Sequence, residues 1–124
     1  MAIKTKQVDD IAVLYPKGYF SGGEETDELF EALHAPIKSG THKVVVNLRD
    51  TQHLVSVAIG TLIAAYTHYA KNRGKIVLCN VNDRINIILV IAKLVFVFDA
   101  YENEAEAIKA LKEWVPETEE AARA

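Results

Sequence analysis

Asp50, His53 and Ser56 put a carboxylate, an imidazole and a hydroxyl into one short segment, Asp50-Thr51-Gln52-His53-Leu54-Val55-Ser56. By inventory this is the set that a hydrolytic triad uses, in which an oriented base activates a hydroxyl for attack on a carbonyl. The surroundings argue against that chemistry. Ser56 is followed by Val57-Ala58, outside any Gly-x-Ser-x-Gly elbow, and no oxyanion loop is legible. The ordinary reading makes Ser56 the N-cap of a helix, its hydroxyl accepting from N–H groups of the first turn. A sharper reading makes it a regulatory hydroxyl. Phosphate there would add about −1.5 to −2 charge beside the positive end of a helix, which can hold it. The fold would then persist while the outer surface changed its affinity for a partner.

Other chemistries find little support. There is no Gly-rich phosphate loop ending in Lys-Ser or Lys-Thr, and no Gly-x-Gly-x-x-Gly fingerprint. His34, His42, His53 and His68 are scattered without metal-helix spacing, so neither a metal nor a cofactor is expected. Cys79, the single cysteine, follows Ile76-Val77-Leu78 and reads as a reduced core thiol, which fits the cytoplasm. A net charge of −3 without a basic block disfavours nucleic acid and anionic membranes as partners. Tyr66 and Tyr69 accordingly read as packing residues with wet hydroxyls, and Asp83-Arg84 as a cap and a solvated pair. The apolar run from Ile85 to Phe98 contains Asn86 and Lys93 and falls short of the roughly 20 residues a spanning helix needs. Asp9-Asp10 interrupts the start of the chain before any secretory apolar region develops.

The elements that must position these residues follow from the hydrophobic pattern. With 124 residues the chain suits one domain, able to bury about two thirds of its extended surface. Residues 1–115 are assigned to it and 116–124 to a short acidic, alanine-rich tail. Ile3 to Phe20 reads as short strands and tight turns, an edge hairpin. Ser21-Gly22-Gly23-Glu24 offers a capping box for a helix carrying Leu29, Phe30 and Leu33 on one face and ending near Pro36. Lys43 to Leu48, Lys75 to Cys79 and Leu94 to Phe98 read as interior strands. Between them, Val57 to Asn72 is a helix with a stripe of Ile59, Leu62, Ile63, Tyr66, Tyr69 and Ala70, stopped by Gly74. Asn80-Val81-Asn82-Asp83 is a turn and cap before a short helix to Ala92. A last helix, about Glu102 to Trp114, faces inward with Ala105, Ile108, Leu111 and Val115. The alternation implies right-handed crossovers, hence an α/β fold with a single mostly parallel sheet, an N-terminal edge hairpin and helices mainly on one side.

The short helix is too apolar for a solvated face. Turning Ile85, Ile88, Leu89 and Ala92 toward the sheet leaves Ile87 and Val90 outward, with Ile91 on a flank. Val57 also points away from its own helix's core stripe. An exposed apolar patch of Val57, Ile87 and Val90 is expected to serve a protein contact, which includes self-association.

The order of motifs from about Ile3 to Trp114 resembles the STAS family, the small domain of anti-sigma factor antagonists, stressosome scaffolds and the cytoplasmic parts of some anion transporters. The resemblance is carried by Gly18 in the early hairpin, Val44-Val45-Val46-Asn47-Leu48-Arg49-Asp50 at a strand exit, and Ala58-Ile59-Gly60 after the serine. It continues through Arg73 to Asn80, the Arg84 to Leu94 region and Val95-Phe96-Val97-Phe98. It implies a non-enzymatic protein-binding module in which Ser56 matches the family's phosphorylated serine and Asp50 the acidic residue at the preceding strand exit. The implied partner is a serine kinase with anti-sigma activity, or a scaffold protein. Val55 and Val57 depart from the pattern, which has Asp or Asn before the serine and a small polar residue after it. Two readings follow. One is a switching module docking through Asp50, His53, Val55, Ser56, Val57, Ile87 and Val90. The other is a non-switching homo-oligomeric scaffold or transporter-associated module, whether by divergence or as an engineered interface variant.

Overall fold

The computed structural model describes residues 3–116; of the tail expected from 116 to 124, all but Pro116 lies outside the described residues. Three strands open the chain, β1 (Lys4–Val8), β2 (Ile11–Tyr15) and β3 (Gly18–Phe20), followed by α1 (Glu24–Lys38), β4 (Lys43–Asn47) and β5 (Thr51–Leu54). Then come α2 (Ser56–Lys71), β6 (Lys75–Cys79), α3 (Asp83–Ile91), a 3₁₀ turn (Leu94–Phe96), β7 (Ala100–Tyr101) and α4 (Glu104–Glu113). The main sheet has the order β1-β2-β4-β6-β7, antiparallel only between β1 and β2.

The consecutive valines of β4 work because successive side chains leave opposite faces of a strand covered on both. Val44 and Val46 join Ala12, Leu14, Ile76 and Leu78 under α1, α2 and α3, where Leu33, Leu62 and Ile85 close the layer. Val45 joins Ile11, Val13, Val77 and Cys79 beneath Ala107 and Leu111 of α4. Helices therefore cover mainly one face, with α4 alone on the other.

Several local expectations are corrected. A second, two-stranded ribbon pairs β3 with β5 in parallel, so the segment leading to Ser56 is a strand and not the loop that its composition suggests. Thr51 anchors it, donating its buried hydroxyl to the Pro16 carbonyl at 2.8 Å. The Ser21–Glu24 capping box does not form. Gly23 is the N-cap of α1, and the acid that folds back is Glu25, whose Oε1 accepts from the backbone N–H groups of Ser21 at 2.8 Å and Gly23 at 3.1 Å. α1 ends near Pro36 as expected, at Lys38, with Pro36 itself inside the last turn, where its missing donor forfeits one bond only and its carbonyl accepts from Ser39 and Thr41 as the chain exits. Phe30 leaves the Leu29–Leu33 face and stacks on His34, at 4.2 Å between centroids, while His34 approaches His68 of α2 at 5.4 Å.

The inner face of α2 is Ala58, Leu62, Ala65 and Tyr69; Ile63 and Ala70 turn outward. The Tyr69 hydroxyl is not wet but buried, donating to the Leu33 carbonyl at 2.6 Å. After α2 the left-handed residue is Arg73, at φ 62°, and Gly74 serves close approach: a Cβ there would lie 2.5 Å from the His42 carbonyl oxygen. In α3 Ala92 is solvent-facing, and in α4 Ala107 and Leu111 face inward with Ala105 and Val115 exposed.

Leu94 to Phe98 is not a strand. Only Ala100 and Tyr101 pair with β6. A strand would direct Leu94, Phe96 and Phe98 to one side. The 3₁₀ turn instead buries Leu94 and Phe98, the latter edge-on to Tyr66 at 5.1 Å, and leaves Val95 and Phe96 outside.

Candidate functional site

Ser56 is the first residue of α2 and solvent-exposed, one position beyond the N-cap that the sequence pattern assigns to it. The cap position falls on Val55 because the ribbon holds it extended: its N–H donates to the Phe20 carbonyl at 2.9 Å, closing the ribbon beyond β3. Val55 has no polar side chain to accept from the first turn, and that turn carries no acidic residue. The positive end of a sixteen-residue helix is thus open beside the Ser56 hydroxyl.

β5 sets the neighbours. Asp50 is exposed and ion-pairs with Arg49 at 3.5 Å, while its carbonyl accepts from Gly18 N–H at 2.9 Å. His53 is half-buried and faces the Tyr19 ring, with centroids 6.3 Å apart. Val57 lies over Gly22, where a Cβ would stand 3.6 Å from the valine side chain, and is 58% exposed. Asp50, His53, Val55, Ser56 and Val57 therefore form one strip along β5 and into α2. They do not assemble as a triad: among the described residues Ser56 makes no side-chain hydrogen bond, Asp50 is turned to Arg49 and His53 to Tyr19. No group of three metal-ligating side chains occurs among the described residues.

Ile87 and Val90 are both exposed and are on a different element, α3, from the strip. Asn82 links the two, capping α3 while donating to the Thr51 carbonyl of β5 at 3.0 Å. Sequence reasoning misses Tyr19, which stands exposed opposite His53, and Phe96, which it assigns to an interior strand.

It also misses a polar cluster at the carboxyl ends of β2, β4 and β6. Glu104 at the start of α4 accepts from Tyr15 at 2.5 Å, Lys6 at 2.8 Å and Asn47 at 3.2 Å, and Asn80 donates to Asn47 at 3.1 Å. Burial pushes the Glu104 carboxyl up, yet the bonds from Lys6, Tyr15 and Asn47 outweigh it and hold the group below the usual carboxylate range. Each partner is used within the cluster, so its role is to tie α4 to the sheet. The adjacent cleft of about 490 Å³ sets Lys17 and Arg49 against Glu24 and Asp50 and favours no single sign of charge.

Known proteins share this fold. A Thermotoga maritima protein assigned to the anti-sigma factor antagonists superposes with a TM-score of 0.83 at 19% identity, over 90% of this chain and 95% of that one. SpoIIAA, an anti-sigma factor antagonist, matches in its unphosphorylated form with a TM-score of 0.73 at 14% identity, over 91% of this chain and 100% of that one. The phosphorylated form of the Bacillus cell fate determinant SpoIIAA matches at 0.69 and 15% identity, over 88% and 98%. A search of curated proteins found no match. At these identities the superpositions speak for the fold. Family membership rests on the sequence itself, which matches the STAS domain model over residues 2–107, and the chain belongs to the STAS domain family.

Proposed function

We propose that the chain is a non-enzymatic regulatory module that docks a protein partner through the strip around Ser56, and that phosphorylation of Ser56 releases or exchanges that partner. The observation that carries this reading is the exposed hydroxyl at the first position of α2, beside an end with neither a side-chain cap nor an acid in its first turn. Phosphate can be held there without disturbing the fold. Its flanks make the switch effective. Val57, the next residue, and Tyr19, which faces His53 across the ribbon, are exposed apolar surface, so a docked partner that covers them with Ser56 would have to desolvate a phosphate there. A phosphorylated form in a structural relative, SpoIIAA, supports the assignment. The kind of partner is a serine kinase of the anti-sigma class or a scaffold protein, and the buried, reduced Cys79 fits action in the cytoplasm.

Calorimetric titration with an anti-sigma serine kinase tests docking. Ser56→Asp is expected to weaken binding at least tenfold relative to the parent, and Val57→Ser to weaken it less. Equal affinity across the three proteins would overturn the reading. The exposure of Ile87 and Val90 favours a second reading, a non-switching homo-oligomeric scaffold or transporter-associated module, for which Ser56 substitutions would leave assembly unchanged.

A further inference from the structure

Five exposed apolar side chains lie within ten residues on α3 and the turn after it. Ile87 is 58% exposed, Val90 53%, Ile91 77%, Val95 43% and Phe96 85%. Scaled to side chains of this size these five offer roughly 600 Å², most of the roughly 800 Å² that each partner contributes to a standard interface. Large apolar areas left in water mark interaction surfaces more often than solvated ones. Ile85 and Leu89 are buried beneath it and fix the helix, so the outward stripe of Ile87, Val90 and Ile91 cannot roll inward.

We propose that this face pairs with a second copy of the same chain, α3 running antiparallel to its counterpart across a two-fold axis. The charges at its ends carry the choice of occupant. Exposed Asp83 opens the helix and exposed Lys93 follows its end, five residues to either side of Ile88. An axis passing near Ile88 therefore sets Asp83 opposite the partner's Lys93, and does so twice, while Ile87, Val90 and Ile91 meet their counterparts between the two ion pairs. Arg84 then lies toward the carboxyl end of the opposing α3, where the helix dipole favours a cation. A two-fold contact needs this self-complementarity, because the same patch must serve both sides. An anionic bilayer is a poorer occupant for a chain of net charge −3.

Sedimentation velocity over a wide concentration range tests the proposal on the full chain. The parent is expected to shift from monomer to dimer with rising concentration, and Ile91→Asp and Phe96→Glu to remain monomeric with unchanged circular dichroism. Asp83→Lys and Lys93→Asp should each raise the dimer dissociation constant several-fold, and the double exchange should restore it. A parent that stays monomeric throughout, or one that binds phosphatidylglycerol vesicles while remaining monomeric, overturns the proposal. So does self-association unaffected by Ile91→Asp, or a double exchange no better than the single ones.

Discussion

The side chain of Asn82 holds two elements at once: Oδ1 accepts from Ile85 N–H at 2.8 Å to cap α3, and Nδ2 donates to the Thr51 carbonyl of β5 at 3.0 Å. Loss of an N-cap costs about 0.5–2 kcal/mol, typically about 1. Asn82→Ala is therefore expected to lower stability by at least that much in urea unfolding, because the link to β5 goes with the cap. Asn82→Ser restores a cap without the link and should recover part of the loss. Equal stability of all three proteins would show that α3 is held by packing alone.

Tyr69 packs between α1 and α2 with its hydroxyl on the Leu33 carbonyl, and burial raises its ionisation far above the ordinary tyrosine range. Tyr69→Phe keeps the ring and removes one buried hydrogen bond, worth about 1 kcal/mol. In an alkaline ultraviolet titration, one tyrosine should stay protonated until the chain unfolds, and that tyrosine should be missing in Tyr69→Phe.

The start of α1 carries an acid-sensitive carboxylate. The Glu25 carboxyl is brought down to about 2 by the backbone N–H of Ser21, then by its own N–H and that of Gly23. Its folded value lies below the ordinary 4.5, so the stabilisation is present above that pH and is lost as pH falls toward about 2. Glu104, also depressed, contributes with the same sign. Unfolding free energy measured between pH 5 and pH 2 (roughly the window between the two states' ionisations) should fall less steeply in Glu25→Gln than in the parent. Parallel profiles would contradict the assignment.

Cys79 is buried in the α4 layer, where desolvation and then the Glu104 charge push its thiol up to about 12. It should not react with a disulfide reagent at pH 8 in the native state and should react fully in denaturant. Rapid native reaction would mean that β6 opens locally.

The central strands are legible in the sequence because burial on both faces leaves a plain mark: Val44-Val45-Val46 and Ile76-Val77-Leu78 are apolar without interruption. The outward direction of Ile87 and Val90 is legible for a related reason, since turning Ile85 and Leu89 of a nine-residue helix to the sheet leaves them on its other side, and Val57 falls outside the inner face of α2. β5 is not. Thr51-Gln52-His53-Leu54 has no strand pattern of its own, and its geometry comes from pairing with β3, a contact distant in sequence. That is why the sequence pattern points to Ser56 as the cap when Val55 holds that position. Leu94 to Phe98 misleads in the opposite direction: its β-rich composition suits a strand, but the fold uses only the i, i+4 pair Leu94 and Phe98 and brings in β7 two residues later. The Glu104 cluster joins Lys6, Tyr15 and Asn47 from three strands, and nothing local announces it.

Regulation by phosphate requires Ser56 to be the place where charge enters the docking strip. Incubation of the full chain with ATP and an active serine kinase of the anti-sigma class, followed by intact-mass measurement and peptide mapping, tests this most directly. One phosphate is expected, on the peptide containing Ser56, and none in Ser56→Ala. Phosphate on another residue, or none from a kinase shown to be active on its own substrate, would contradict it.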